Sequence, residues 1–254
     1  MKRQDAIVEW VSQKRKVSVN ELADHFQVSK VTIRKDLDRL EERGILSRQH
    51  GYAVVSSSAD MNYRLAVNYD VKHRIAKRAA ETIQDGDTVM IESGGTCALL
   101  AEILAFEKRD ITIITNSTFI ASFVRKSSSV KLILLGGEYQ KDSQVCVGPF
   151  LREIASYFQV HHFFMGMDGF DPKKGFTGVD VARIDAARTL AESAQEINVL
   201  MDSSKFTNPQ GILQFRLAEV DRVYTDSGIP ANIAQALDQA GLEVVQVAAE
   251  ADEA

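Results

Sequence analysis

Cysteine is scarce in this sequence, and its histidines follow none of the spacings that commonly bind metals. The 254 residues include two cysteines, Cys97 and Cys146, which are too few for a disulfide framework. The five histidines form no HxxxH motif and the cysteines form no CxxC motif. We therefore predict neither a metal site nor a cofactor, and metal-dependent catalysis has no support in the sequence.

Long apolar runs are absent as well. No segment approaches the roughly 18 to 20 apolar residues that a membrane-spanning helix requires. The first ten residues, MKRQDAIVEW, are charged and amphipathic, whereas a signal peptide has an apolar centre. These features predict a cytoplasmic protein without a membrane partner. The 45% hydrophobic content is ample for a packed core.

Positive charge is in deficit overall but not at the start of the chain. The net charge is −5, yet residues 1–57 contain 11 Lys and Arg against 8 Asp and Glu. The remainder contains 19 against 27, so a basic small unit precedes an acidic large one. This split predicts two functions. The polar run SSSAD at 56–60 marks the join, and we predict a first domain at 1–57, a linker at 58–70 and a second domain at 71–254.

The first 57 residues have the periodicities of three helices and a hairpin. Predicted helices run from Arg3 to Gln13, onward from the N-cap Asn20, and from Lys30 to about Arg43 between the cap Ser29 and Gly44. In the third helix Ile33, Leu37 and Leu40 form an apolar stripe, and the opposite face has Val31, Arg34, Lys35 and Asp38, with the cations towards its N-terminal end. The segment ILSRQHGYAVV alternates around a turn and predicts a two-stranded wing. This pattern is typical of a winged helix-turn-helix domain.

The exposed face of the third helix contains the side chains that we expect to contact DNA. Arg34 and Lys35 can reach guanine O6 and N7 or phosphates, and Val31 can pack on a thymine methyl group. The predicted DNA-binding residues are Ser29, Lys30, Val31, Thr32, Arg34, Lys35, Arg39, Arg48 and His50, of which the last three are expected on the DNA backbone. The alternative is a set of solvated charges on a small helical domain.

The same segment resembles the DNA-binding domain of DeoR-type bacterial transcriptional regulators. That family is characterised by a Ser-x-x-Thr-Ile-Arg-[Arg/Lys]-Asp-Leu helix followed by Arg-x-His-Gly in the wing. This sequence has SKVTIRKDL at 29–37 and RQHG at 48–51. It departs at Tyr52, where the family usually has a second glycine, and this change could stiffen the wing or add a contact to a sugar.

From Asp87 onward, short apolar runs alternate with helical segments. The runs are TVMIE, ITIIT, VKLILL, HHFFMG, INVLM, RVYT and EVVQV. Such alternation predicts a mostly parallel, Rossmann-like sheet covered on both faces. Polar residues follow five of the runs, and in parallel sheets the strand ends meet at one edge, where ligands bind. Any one of these loops alone would be read as an ordinary turn.

The loop in VMIESGGTC lacks both the dinucleotide and the P-loop fingerprints. It can present backbone N–H groups at a helix start, which favours an anion. Lys205 is the candidate counter-charge, and Asp168 can accept hydrogen bonds from sugar hydroxyls. The predicted ligand-binding residues are Ser93, Gly94, Gly95, Thr96, Asn116, Gly136, Gly137, Asp168, Gly169 and Lys205. These groups fit a small phosphorylated polyol better than a large cofactor.

The second domain is also similar to DeoR-type sensor domains, through TNS at 115–117, GG at 136–137, DG at 168–169 and DSSKF at 202–206. The resemblance implies a ribose-5-phosphate-isomerase-like fold and a repressor of a carbohydrate operon that a sugar phosphate controls. It also implies a homo-oligomer, either a dimer or a tetramer. Glu92, Gly95 and Cys97 replace the family's usual acid and threonines, and Arg183 lies in a helix where many relatives have Glu-Ala-x-x-Lys. These departures bear on the identity of the ligand.

Two other functions compete with ligand-controlled DNA binding. An isomerase would need a carboxylate base, for which Asp168 is the candidate, and groups that stabilise an enediolate, such as Lys205. The Lys173-Lys174-Gly175 run lacks further glycines and the next helix has no Glu before Glu192, so we predict no enzyme activity. An architectural DNA-binding protein without an effector would not need polar strand ends.

Overall fold

The fold is taken from a computed structural model that describes residues 3–42, 46–54, 61–207 and 211–248. Contacts along the backbone divide the chain into two compact units, Met1–Asp70 and Val71–Ala254. The predicted helix end at Arg43 and Gly44 lies outside the described residues, as does the polar run at 56–60. The domain boundaries at 57 and 70 therefore remain proposals.

The first unit combines four helices with a small antiparallel sheet in its described part. Its elements are α1 (Arg3–Lys14), β1 (Lys16–Ser18), α2 (Val19–His25), α3 (Lys30–Glu42), β2 (Ser47–Gln49), β3 (Tyr52–Val54) and α4 (Met61–Ala66). The strands pair in the order β1, β3, β2. His50 and Gly51 both have positive φ, at 49° and 84°, which is the backbone that a tight hairpin turn requires. The winged helix-turn-helix is confirmed, with β1 as its third strand.

The predicted apolar stripe of α3 forms the core of this unit. Ile33, Leu37 and Leu40 are at most 1% exposed, and they lie with buried residues of α1 and α2, which are Ile7, Val8, Val11 and Leu22. Burial of one face leaves the opposite face of α3 for solvent or a partner.

The predicted N-cap of α2 is wrong. Ser18 is the cap, because its Oγ accepts a hydrogen bond from the Glu21 backbone N–H at 3.1 Å. Glu21 Oε2 accepts in return from the Ser18 backbone N–H at 2.8 Å, which completes a capping box. The helix therefore begins at Val19, and Asn20 is an exposed residue of its first turn.

The predicted linker at 58–70 needs a correction over its described part. Residues Met61–Ala66 form α4, which packs on α1. Met61 and Leu65 are fully buried, since their i, i+4 spacing places both on one side of the helix. Burial of apolar side chains therefore stabilises a helix in this part of the predicted linker, although the sequence just before it is polar.

The second unit alternates strands and helices around one large sheet. Its elements, in chain order, are α5 (Tyr69–Ala80), β4 (Thr88–Ile91), α6 (Gly95–Glu107), β5 (Thr112–Thr115), α7 (Thr118–Val124), β6 (Lys131–Leu134), β7 (Glu138–Gln140), β8 (Val145–Val147), α8 (Pro149–Ala155), β9 (Val160–Gly166), β10 (Gly169–Asp171), β11 (Gly175–Gly178), α9 (Val181–Ala191), β12 (Ala194–Leu200), β13 (Ile212–Phe215), β14 (Arg222–Asp226), α10 (Ala231–Gln239) and β15 (Glu243–Val247). Short 3-10 helices cover Ser203–Thr207 and Leu217–Glu219.

The large sheet has the strand order β15, β14, β12, β9, β4, β5, β6, and every pair is parallel. This confirms the predicted parallel sheet and its seven strands. In β9 the consecutive residues Phe163, Phe164 and Met165 are all fully buried, which requires cover on both faces of the sheet. In the described part of the chain no helix is both long and apolar enough to span a membrane.

Two small antiparallel sheets and α8 were not foreseen. Strands β7 and β8 form a hairpin, and β10, β11 and β13 form a second sheet. These strands are three or four residues long, and such short strands leave too few positions to establish an alternating pattern. Both small sheets follow carboxyl ends of the large sheet along the chain, so they contribute to the surroundings of the predicted ligand loops.

Candidate nucleic-acid interface and effector site

The exposed face of α3 begins at its N-terminal cap. Ser29 Oγ accepts a hydrogen bond from the Thr32 backbone N–H at 3.1 Å and lies 2.9 Å from the Thr32 hydroxyl. The predicted cap is therefore confirmed, and both hydroxyls already have a structural role. The side chains of Lys30, Val31, Arg34, Lys35 and Arg39 are exposed, and Val31 is 59% exposed. An apolar side chain among cations on one helical surface is suited to a DNA groove.

Asp36 anchors this helix, a role that the sequence analysis missed. Its carboxylate is 3% exposed and accepts hydrogen bonds from Arg3 Nε at 2.7 Å and from Gln4 Nε2 at 3.1 Å. The hydrogen bond to Asp36 raises the pKa of the Arg3 guanidinium. Asp36 thus joins α3 to α1 and fixes which face of α3 is exposed. The family motif TIRKDL contained this residue, but its spacing alone did not identify its partners.

The wing residues differ in their surroundings. Arg48 forms an ion pair with Asp38 of α3, and its backbone N–H donates to Glu41 Oε1 at 2.9 Å. Arg48 therefore ties the wing to α3. His50 is exposed at the tip of the hairpin. Lys16 Nζ of β1 lies 4.5 Å from the ring centroid of Tyr52 on β3. Tyr52, the residue that departs from the family pattern, therefore makes a cation–π contact between the two strands.

The strand order brings the predicted ligand loops to one edge of the second unit's sheet. The loops follow β12, β9, β4, β5 and β6, which are consecutive neighbours, and all of these strands point the same way. The loop after β4 also makes direct contacts with the neighbouring strand β9. The Glu92 backbone N–H donates to the Phe164 carbonyl at 2.9 Å, and a β-carbon built on Gly94 would lie 4.0 Å from Gly166 Cα.

The first loop places backbone N–H groups at the start of α6. Gly94 is the N-cap, with φ 133° and ψ 157°, a backbone that L side chains rarely adopt. It provides no side-chain cap, and α6 begins at Gly95. The N–H groups in the first turn of a helix lack intrahelical acceptors, and the helix dipole favours an anion there. The loop is buried, and Ser93 Oγ donates to Glu92 Oε1 at 2.7 Å.

Asn116 connects the end of β5 to the β7–β8 hairpin. Its Nδ2 donates to the Cys146 carbonyl at 2.9 Å, and its own carbonyl accepts from the Cys146 backbone N–H at 2.8 Å. Asn116 Oδ1 is buried and has no hydrogen-bond partner in the structure. Burial raises the pKa of the Cys146 thiol, so this cysteine is a neutral packing group. Cys97, in the first turn of α6, is fully buried.

The glycine pair after β6 has a steric role. A β-carbon on Gly137 would lie 2.5 Å from the Val147 carbonyl oxygen, whereas one on Gly136 would meet nothing within 4 Å. The close approach of β8 therefore requires glycine at 137 and not at 136. Gly169 opens β10 and pairs with Thr177 of β11.

Asp168 and Lys205 are both engaged with neighbouring groups. Lys205 Nζ donates to the Met167 carbonyl at 2.6 Å. Asp168 Oδ2 accepts from the Val179 backbone N–H at 3.3 Å and lies 3.6 Å from Arg183 Nη2. Arg183 is a cation that sequence reasoning treated only as a departure from a family pattern. Its side chain is 16% exposed, and its position in the first turn of α9 could have pointed to a role beside Asp168.

Comparison with known proteins matches a family model to each part of the chain. Residues 3–59 match the DeoR-like helix-turn-helix domain, and residues 67–227 match the DeoR C terminal sensor domain. The glycerol-3-phosphate regulon repressor of Escherichia coli K12 is 31% identical over 238 residues, which cover 92% of this chain and 94% of the repressor. The L-fucose operon activator of Haemophilus influenzae is 28% identical and covers 93% of this chain and 96% of its own length.

Among solved structures, ribose 5-phosphate isomerase A from Methanocaldococcus jannaschii is 21% identical, with a TM-score of 0.40 over 55% of each chain. At this level of similarity the isomerase says nothing about the chemistry of this chain.

Proposed function

Because this chain belongs to the DeoR family of transcriptional regulators, we propose that it represses a carbohydrate operon and that a phosphorylated sugar controls its binding to operator DNA. The observation that carries the proposal is the pairing, in one chain, of a helix that exposes Lys30, Arg34, Lys35 and Arg39 with a sheet edge that gathers five polar loops. The first reads DNA and the second binds the effector. The protein acts in the cytoplasm, where operator DNA is found.

The N-terminal half of α3 enters the major groove of the operator. Arg34 and Lys35 bind guanine edges or phosphates, while Val31 packs on a thymine methyl group. Lys30 and Arg39 contact the DNA backbone from the same exposed surface, as does His50 from the wing tip. Arg48 contributes mainly by holding the wing against α3, and because its ion pair with Asp38 is exposed, its guanidinium can exchange that carboxylate for a DNA phosphate.

Arg34→Ala tests this docking. Loss of a bidentate contact to guanine is expected to weaken specific operator binding by about 1 to 3 kcal/mol. The measurement is a gel-shift titration of the full chain at fixed salt, with Arg125→Ala as the matched control. Arg125 is an exposed arginine of the second unit that donates to the Ser122 carbonyl within its own segment. Equal affinities of Arg34→Ala and the unaltered chain would rule out this docking of α3.

The effector's phosphate binds at the N-terminus of α6. Backbone N–H groups of Gly95 and Thr96 donate to it, and positive charge comes from Lys205 in the 3-10 helix after β12 and from Arg183 in the first turn of α9. The sugar hydroxyls are bound by Asp168 and by Asn116 Oδ1, whose buried position leaves an acceptor to be satisfied. Glycine at 95 removes a hydroxyl that relatives have, so backbone groups make a larger share of the contacts.

Lys205→Ala and Gly95→Asp test the effector site. The first removes a positive charge, and the second places a carboxylate where the phosphate binds, so both are expected to leave operator binding intact and abolish the response to effector. A panel of phosphorylated sugars is first screened by thermal shift, and the best hit is used in the gel-shift titration. Lys173→Ala, in the exposed turn between β10 and β11, is the matched control. A normal response of either site variant would mean that the site is elsewhere.

The switch requires two arrangements of the DNA-binding units with different affinities for the effector. One winged helix makes few phosphate contacts, so a dimer or tetramer that spans two half-sites provides the affinity. In one arrangement the winged helices are spaced to fit the two half-sites of the operator, and in the other they are not. An effector that binds the second arrangement more tightly therefore releases the operator. Analytical ultracentrifugation of the chain at the concentrations of the gel shift checks the oligomer, and a monomer bound to a complete operator would contradict it.

The chain has no isomerase activity in this proposal. The relatives are transcriptional regulators, and the candidate base Asp168 is held by the Val179 backbone N–H and by Arg183. Both contacts engage the carboxylate oxygen Oδ2, which a catalytic base would need for the substrate. Turnover of an aldose phosphate that Asp168→Asn abolishes would overturn this part of the proposal.

A further inference from the structure

Two histidines and a glutamate meet at the amino ends of β9 and β12. His161 and His162 follow the first residue of β9, and Glu196 of β12 is in register with His162. His162 Nδ1 lies 3.1 Å from Glu196 Oε2, and His161 Nε2 lies 3.6 Å from Glu196 Oε1. One ligand atom from each residue can be chosen so that all three lie within 4.8 Å of one another. The positions of these residues in the sequence do not indicate a cluster, because the three side chains come together only when β9 pairs with β12.

The ring of His161 is oriented as that of a metal ligand usually is. His161 Nδ1 lies 2.8 Å from Gln195 Oε1, and donation to this oxygen leaves the Nε2 lone pair facing Glu196. Among the described residues, the buried His162 Nδ1 makes no hydrogen bond of favourable geometry, although it lies 3.1 Å from Glu196 Oε2. A metal ion beside this nitrogen would therefore displace no hydrogen bond.

We propose that His161, His162 and Glu196 bind one divalent transition-metal ion, with Zn²⁺ as the best match. Zinc is bound by imidazole nitrogens at about 2.0 to 2.1 Å and by carboxylate oxygens at about 2.0 to 2.2 Å, so two ligands of a tetrahedral ion lie about 3.4 Å apart. The observed separations of 3.1 and 3.6 Å bracket this value. The side chain of His161 is 58% exposed, so the ion is reached from solvent and water completes its coordination.

Nearby charges are compatible with a cation at this position. Arg222 Nη1 lies 3.3 Å from Glu196 Oε2, but its Nε donates to Glu243 Oε2 at 2.7 Å and its Nη1 also approaches Asn198 Oδ1. Arg222 is thus also held by groups outside the cluster, and it can orient the carboxylate through one lone pair of Oε2, which leaves Oε1 and the second lone pair of Oε2 for the ion. The cluster lies at the opposite edge of the sheet from the effector loops, so it is a separate site.

Calorimetric titration of ZnCl₂ into the full chain, after removal of metals with a chelator, tests this inference. We expect one equivalent per chain, at least a tenfold loss of affinity in His161→Ala and in Glu196→Gln, and unchanged binding in the control His73→Ala. His161 is exposed, so its substitution should not prevent folding, and circular dichroism checks this. The inference is overturned if the unaltered chain binds no zinc, or if His161→Ala and Glu196→Gln bind zinc as tightly as the unaltered chain does.

Discussion

The reason for a particular residue at a given position in this protein is often a contact with a residue of another element. Asp36 is buried because Arg3 and Gln4 donate to it, and Gly137 is required because the Val147 carbonyl passes close to it. Sequence patterns identified both residues within motifs. They could not identify the reason, because the partners belong to other elements.

Gly137→Ala tests the steric role of this glycine. The new β-carbon would lie 2.5 Å from the Val147 carbonyl oxygen, so the backbone must shift. Overpacking of this kind costs about 1 to 3 kcal/mol, and we expect that loss in the free energy of unfolding measured with urea. Gly136→Ala is the matched control, since its β-carbon would meet nothing within 4 Å. Equal stability of the two variants would contradict the assignment.

At the scale of elements, periodicity predicted most helices and strands but not their limits. The seven strands of the large sheet were foreseen because continuous apolar runs indicate burial on both faces. The start of α2 was misplaced by two residues, because Ser18 and Asn20 are both residue types that cap helices. The capping box with Glu21 decides between them. The short strands β7, β8, β10 and β11 were missed, although they adjoin the predicted ligand loops.

Ser18→Ala tests the cap of α2. Removal of the hydroxyl leaves the Glu21 backbone N–H without its acceptor and is expected to cost about 1 kcal/mol in the free energy of unfolding of the first unit. Thermal unfolding followed by circular dichroism measures the change. Asn20→Ala is the control, because the structure leaves Asn20 exposed in the first turn. A larger effect of Asn20→Ala than of Ser18→Ala would restore the cap that the sequence alone suggested.

At the scale of the whole molecule, the distribution of charge could be predicted from the sequence, whereas the order of strands in the large sheet could not. The net charge of −5 conceals a basic first unit, and counting charges along the sequence was enough to reveal it. The order of strands in the large sheet could not be counted in the same way. It depends on crossovers that reverse direction after β6, and only the structure shows that the five polar loops are consecutive neighbours.

Lys35→Ala tests how an acidic protein binds DNA. Each lysine contact to a phosphate releases counterions, so its removal is expected to reduce the slope of log affinity against log salt by about 1 per subunit. A dimer bound to two half-sites should therefore lose about 2. Gel-shift titrations over a series of salt concentrations give the slope, and Lys131→Ala, an exposed lysine of β6, is the control. An unchanged slope for Lys35→Ala would exclude a phosphate contact.

The two central strands β9 and β12 have one more consequence. Each is seven residues long, or about 20 Å, and each ends in a polar loop at one edge of the sheet while contributing to the His161, His162 and Glu196 cluster near the other. Hydrogen-bonded pairing holds both strands in one register, from Ala194 opposite Val160 to Leu200 opposite Gly166. The same register therefore sets the spacing of His162 and Glu196 at one edge of the sheet and the spacing of the two polar loops at the other.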